Sequence, residues 1–146
     1  MHPREMRNGI QCIAMAHWER RLFDSLIPLP DGTSYNAYLV KGQRSTALID
    51  GADPDLQEEL LEQLKDVDQI DYVVSQHSEQ DHSGAIPAVL DRFPNAKVVC
   101  SNKAKDLLMT HLKVPEDRLV PVEDGQTLPR SEERRVGKEC RSRWSP

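Results

Sequence analysis

The sequence predicts an α/β domain in which a β-rich opening gives way to regular alternation of strand and helix. Residues 10–49 hold short apolar, β-favouring runs divided by turn chemistry. From residue 53 onward the apolar residues take helical spacing, return to a strand-like run, and repeat that change with short connections. The resulting β, α, β, α, β order implies a sheet with helices packed on it by right-handed crossovers.

Taken in order, residues 10–16 and 35–40 are the first two expected strands, with PLPDGTS between them as turn, and residues 46–49 form a third after the KGQRS turn. Asp53 and Pro54 supply an N-cap and a first-turn proline. Leu56, Leu60, Leu61 and Leu64 then make one apolar stripe on an otherwise charged helix ending near residue 65. IDYVVSQ, residues 70–76, is nearly continuous apolar sequence, as in strands buried on both faces. A polar loop follows. Ile86, Val89, Leu90 and Phe93 have helical spacing again, with Ser83 as the expected cap and Pro87 in the tolerated first turn. Residues 96–100 form a strand, residues 103–112 a helix with Leu107, Leu108 and Leu112 inward, and residues 119–122 a last strand before DGQTLP.

At 146 residues the chain has the size of one domain. It carries no apolar run long enough to span a bilayer, and MHPREMRNG lacks the apolar middle of a signal peptide, so a cytoplasmic protein is expected. The formal charge of −5 argues against nucleic acid as a partner. Cys12, Cys100 and Cys140 show no CxxC spacing and suggest neither a disulfide framework nor a thiolate zinc site; Cys12 and Cys100 read as small core residues. Charge is uneven along the chain. Residues 130–146 carry six Lys or Arg against three Glu, whereas residues 1–129 carry thirteen against twenty-one, a formal −8. A basic tail of this kind could dock an acidic partner, giving a non-catalytic binding module as one reading. The segment RSEERRVGKECRSRWSP also resembles the in-frame translation of a sequencing adapter, in which AGATCGGAAGAG reads Arg130, Ser131, Glu132, Glu133. On that resemblance the expected domain is residues 1–129, and residues 130–146, with Cys140, are an artefactual tail.

The chemistry gathers in SQHSEQDHSGAIP, residues 75–87, at the carboxyl end of the 70–76 strand, where ligand sites of open α/β sheets lie. If the chain stays extended to Asp81, then His77, Glu79 and Asp81 project to one side with period two, and His82 is ambiguous. Imidazole with two carboxylates is a harder set than the His-rich or Cys-rich sets of zinc and suits iron or manganese. Carboxylates also bridge, which suits a binuclear centre. A solvated polar loop is the plainer alternative, but four metal-capable side chains in six residues after a buried strand weigh against it. His2, His17 and His111 are isolated. In LIDGADPD, Asp50 could orient a ligand histidine, and Asp53 could do the same or cap the following helix.

These residues carry a resemblance. HSEQDHSG, with YNAYLVKG, ALIDGADPD and YVVSQHSEQDHSGAIP, resembles the N-terminal metallo-β-lactamase-like domain of the flavodiiron proteins, or A-type flavoproteins, over residues 10–129. Hydrolases of that superfold carry His-x-His-x-Asp-His, and glutamate at the second ligand position, here Glu79, marks the flavodiiron branch. The resemblance implies an αββα sandwich, of which this chain holds the first half only. It implies a non-haem di-iron site in the full-length protein, and FMN in a following flavodoxin-like domain that is absent here. His77 and Glu79 would be ligands of one iron, Asp81 of the other, and His82 matches a position that binds the second iron in some members and stands off in others. The implied reaction reduces dioxygen to water, nitric oxide to nitrous oxide, or both, with a rubredoxin-like protein or a flavin reductase as electron donor and a homo-oligomer at full length. The later histidines and bridging aspartate of the family have no counterpart here, so the isolated chain is expected to be inactive. A zinc-dependent hydrolase of the same fold is the alternative, and Glu79 in place of histidine counts against it.

Overall fold

The computed structural model describes residues 2–126; the expected artefactual tail at residues 130–146 lies outside them. Strands β1 (Arg4–Arg7), β2 (Ile10–His17), β5 (Thr33–Lys41) and β6 (Thr46–Ile49) form an antiparallel opening. From β6 the sheet continues in parallel through β7 (Tyr72–Val74), β8 (Lys97–Ser101) and β9 (Leu119–Val122). The order is β1-β2-β5-β6-β7-β8-β9, and β3 (Leu22–Phe23) with β4 (Ile27–Pro28) makes a separate hairpin between β2 and β5.

The helices are α1 (Gln57–Gln63), α2 (Gln80–Ser83), α3 (Ile86–Arg92) and α4 (Asn102–His111), with a 3₁₀ turn at Pro54–Leu56 ahead of α1 and another at Glu116–Arg118. The parallel strands follow chain order without reversal, so crossovers of one hand place their helices on one face of the sheet. The core has that composition. Leu60 and Leu64 from the α1 segment, Ile86 and Val89 from α3, and Ala104 and Leu108 from α4 pack on Ile13, Met15, Ala37, Leu39, Leu48, Val73, Val98 and Cys100. Alternation in β2 and β5 sends Ile13, Met15, Tyr35, Ala37 and Leu39 inward and Asn36 and Tyr38 outward.

The opposite face has its own apolar cluster, in which Val74, Val99 and Val122 pack with Ile49, Tyr72 and Val120. This is one helix layer and one sheet of the expected αββα arrangement. Cys100 is buried in the main core, as expected, while Cys12 is only half-buried. Edge strand β1 is exposed throughout and reads Arg-Glu-Met-Arg, with charge that discourages pairing with another edge. No helix among the described residues is long and apolar enough to cross a membrane.

Several features differ from the sequence reading: β1 and α2 were not expected, and Leu107, expected inward on α4, is exposed while Leu108 is buried. The run 70–76 is strand only at Tyr72–Val74, because Ser75 and the residues after it turn into the polar loop. The β3–β4 hairpin closes through Asp24 and Ser25, both with positive φ, and a Leu26 N–H to Phe23 carbonyl bond of 3.0 Å. That is the backbone of a type I′ turn made without glycine, so no glycine signal announced it.

Leu60 is fully buried where α1 meets the sheet. Leu60→Ala is expected to lower unfolding free energy by about 2–5 kcal/mol, measured as a lower urea midpoint with an unchanged denaturant slope.

Candidate metal centre

The carboxyl ends of β6 and β7 lie side by side, since Ile49 pairs with Val74 in parallel register. The segment Asp50–Ala52 leaving β6 holds the polar loop that follows β7 at both ends. At the loop's start the Gln76 N–H donates to Asp50 Oδ1 at 2.9 Å, and Gln76 Nε2 reaches Asp50 Oδ2 at 3.4 Å. At its far side the Gly51 N–H donates to the His82 carbonyl at 2.8 Å, and the Ala85 N–H to the Ala52 carbonyl at 2.9 Å. Asp50 does this from φ +58, a left-handed conformation that aspartate tolerates better than most residues. Gly51 and Gly84 allow the close approach. A Cβ on Gly84 would stand 2.5 Å from the Pro54 ring and 2.6 Å from the Gln80 carbonyl, and one on Gly51 3.1 Å from the His82 carbonyl.

The loop is not extended to Asp81. Glu79 is the last β-region residue and occupies the N-cap position of the short helix α2 without a side-chain cap bond, so Asp81 and His82 sit on a helical turn and the period-two projection ends at Glu79. Ser83 does not cap α3. Its buried hydroxyl donates back to the Ser78 and Glu79 carbonyls at 3.1 and 2.9 Å, which fastens the turn, and Ala85 takes the N-cap position with Pro87 in the first turn as expected.

The four expected ligands meet in pairs. His77 Nε2 lies 3.0 Å from Glu79 Oε1, with both side chains more than half exposed. His82 stands between two carboxylates, with Nε2 3.6 Å from Asp81 Oδ2 and Nδ1 3.7 Å from Asp50 Oδ2. The His77 and His82 rings are 5.4 Å apart, centroid to centroid, which brings the pairs together. Among the described residues no three His, Cys, Asp or Glu side chains converge as a metal-holding group. The donor set nonetheless fits a hard or borderline cation. Three carboxylates crowd the loop, each facing a histidine, and a cation would relieve their mutual repulsion while taking imidazole nitrogen as well.

Electrostatics single out His82. The Asp50 carboxylate raises its pKa above the ordinary 6.5; partial burial works against this, and Asp81 and Glu79 add to it. At 3.7 Å the Asp50 contact is longer than a well-made hydrogen bond, so charge attraction is the better description.

Both open aspartate assignments now have answers. Asp53 is a cap, accepting the Asp55 N–H at 3.0 Å, and its buried carboxylate also pairs with Arg20 Nη1 at 2.7 Å. Asp50 is the residue beside His82. Sequence reading missed Arg20, Gln76, His17 and Tyr35, which all border this end of the sheet. The strand register gave a signal for two of them, since the inward alternation of Ile13 and Met15 continues to His17, and that of Leu39 and Ala37 to Tyr35. His111 lies exposed in the last turn of α4 and His2 is exposed, so neither belongs to the site.

A family profile described as ODP family beta lactamase matches residues 33–136. The anaerobic nitric oxide reductase flavorubredoxin of Vibrio vulnificus (strain YJ016) is 32% identical over 127 residues, covering 84% of this chain and 26% of the relative. Among solved structures, a flavo di-iron protein variant from Thermotoga maritima matches with a TM-score of 0.79 and 28% identity, over 85% of this chain and 32% of that one. Rubredoxin oxygen:oxidoreductase from the anaerobe Desulfovibrio gigas matches with a TM-score of 0.77 and 30% identity, over 86% and 32%. The chain spans between 26% and 32% of the length of these proteins.

A histidine pKa raised by folding contributes stability in full below the unfolded value and loses it as pH rises through the folded value. The metal-free chain is therefore expected to lose stability between about pH 6 and the raised His82 pKa. Asp50→Asn, which keeps an acceptor for the Gln76 N–H, should lower the His82 pKa in an NMR titration and flatten that part of the stability profile; an unmoved His82 pKa would contradict the assignment.

Proposed function

The chain belongs to the ODP family of β-lactamase-fold domains and has the fold of the N-terminal metallo-β-lactamase-like domain of flavodiiron proteins, and on that premise we propose that it is the metal-binding part of an oxidoreductase reducing dioxygen to water, nitric oxide to nitrous oxide, or both. The observation that carries this reading is the mixed set of imidazole and carboxylate donors, with Glu79 at its second position, held at the carboxyl ends of parallel strands. The relatives' names supply the reactions: one is a nitric oxide reductase and one an oxygen oxidoreductase.

In this reading His77 and Glu79 would hold one iron of a non-haem di-iron site and Asp81 the other, and His82 would bind the second iron or stand off from it. Bound iron supplies one-electron redox chemistry and open positions for a diatomic substrate. The chain's own residues prepare the site. The Asp50 carboxylate and the Gly51 N–H fix the two ends of the loop, so the donors are presented from a backbone held by hydrogen bonds of its own. The Asp50 carboxylate also attracts the Nδ1 side of the His82 ring, which leaves Nε2 on the Asp81 side.

Further ligands, FMN on a flavodoxin-like module, a rubredoxin-like protein or flavin reductase as donor, a homo-oligomer and a cytoplasmic location complete the proposal. Support for the donor comes from the rubredoxin in the relatives' names. The 146-residue chain alone, iron-loaded and given a reductase, is expected to consume neither gas; consumption by it would show that the residues here suffice. Iron titration tests the ligands directly. His77→Ala and Glu79→Ala should each weaken iron binding at least about tenfold against a competing chelator, and selective retention of zinc with ester hydrolysis would favour a hydrolase instead.

A further inference from the structure

Three buried side-chain polar atoms among the described residues make no hydrogen bond: the Tyr35 hydroxyl, Nδ1 of His17 and Oε1 of Gln63. Gln63 is half satisfied, since its amide nitrogen donates to the Ala14 carbonyl at 2.9 Å. Tyr35 and His17 have no such relief. Tyr35 is 7% exposed and the His17 side chain 11%, so bulk water does not replace the missing bonds. Buried polar atoms in native proteins nearly always meet a protein group or an ordered water.

The two atoms lie together because the strand register brings their side chains together. Inward alternation runs Ile13, Met15, His17 along β2 and Leu39, Ala37, Tyr35 along β5. Met15 pairs with Tyr35 and His17 with Thr33, which makes Tyr35 and His17 diagonal neighbours, with ring centroids 6.3 Å apart and planes tilted by 57°. Neither ring supplies the other's missing bond. Met15, across from Tyr35, and Ala37, next inward on its own strand, are fully buried and apolar.

The far side of the imidazole decides what Nδ1 needs. Nε2 faces Asp55 Oδ2 at 3.9 Å, too long for a hydrogen bond but close enough for the carboxylate's charge to favour hydrogen on that nitrogen. Nδ1 of the neutral ring is then an acceptor in want of a donor, while the Tyr35 hydroxyl has a hydrogen to give.

We propose that Tyr35 and His17 hold one internal water molecule, which accepts the Tyr35 hydroxyl hydrogen and donates to His17 Nδ1. Two bonds of about 2.8 Å let one water join atoms up to about 5.6 Å apart, a gap that direct bonding does not close. A cation would require more donors than one hydroxyl and one ring nitrogen, and an apolar molecule would leave both unpaired. The water completes a polar tie in a largely apolar interface, running from Tyr35 on β5 through His17 on β2 to Asp55 in the Pro54–Leu56 turn. It also commits His17 to the tautomer with hydrogen on Nε2.

Nothing in this site depends on metal or turnover, so the full 146-residue chain serves for the test. Cross-relaxation between water and the ring hydrogens of Tyr35 and His17, measured by NMR, is expected to carry the sign of a water that tumbles with the protein, opposite to that of surface water. A long-range proton–nitrogen spectrum should place the His17 hydrogen on Nε2. Tyr35→Phe, read at the His17 ring, and His17→Phe, read at the Tyr35 ring, each remove one partner and should shorten the water's residence about tenfold. Surface-type cross-relaxation alone in the wild-type chain would overturn the site, as would hydrogen on Nδ1 or a direct bond from the Tyr35 hydroxyl to that nitrogen. A bound-water signal unchanged in whichever variant folds would overturn it equally.

Discussion

The end of strand β6 governs this structure. Asp50, in a left-handed conformation, accepts the Gln76 N–H, and the next residue donates to the carbonyl of His82. Together these bonds span a loop that would otherwise have no reason to hold four polar side chains in one place. The surrounding fold makes the clamp possible, because parallel pairing of β6 with β7 brings Asp50 beside the strand end from which the loop departs. A buried carboxylate in this position would be costly without donors; Gln76 supplies them from backbone and side chain, and His82 adds a ring that is easier to protonate.

The sheet is buried unequally on its two faces, and this follows from its order. Crossovers between strands added always in the same direction put α1, α3 and α4 on one side, where the main core forms. The other side keeps a smaller cluster centred on Val74, Val99 and Val122. A doubly wound sheet would reverse direction and place a ligand crevice at the reversal. Here the candidate site lies instead at one strand end, close to where antiparallel pairing changes to parallel at β6.

Much of this was legible in the chain. The apolar stripe of Leu56, Leu60, Leu61 and Leu64, the cap at Asp53 and the strands around residues 46–49, 96–100 and 119–122 all stand where local patterning put them, because each rests on residues adjacent along one element. The helical turn at Gln80–Ser83 was not legible. A four-residue helix has no apolar period to display, and this one is fixed by Ser83 bonding back to two carbonyls and by the Gly51 bond from the segment that leaves β6. Arg20 escaped notice for a similar reason, since its partner Asp53 lies thirty-three residues away.

The sequence by itself determined the α/β order and the choice of candidate donors, since periodicity and the chemistry of His77, Glu79, Asp81 and His82 are local properties. Tertiary structure decided which aspartate caps and which aspartate faces the histidine, and it buried the Tyr35 hydroxyl and the His17 Nδ1 without hydrogen-bond partners. These are distances between strands far apart in the chain, set by register and backbone bonds that no single stretch of sequence encodes.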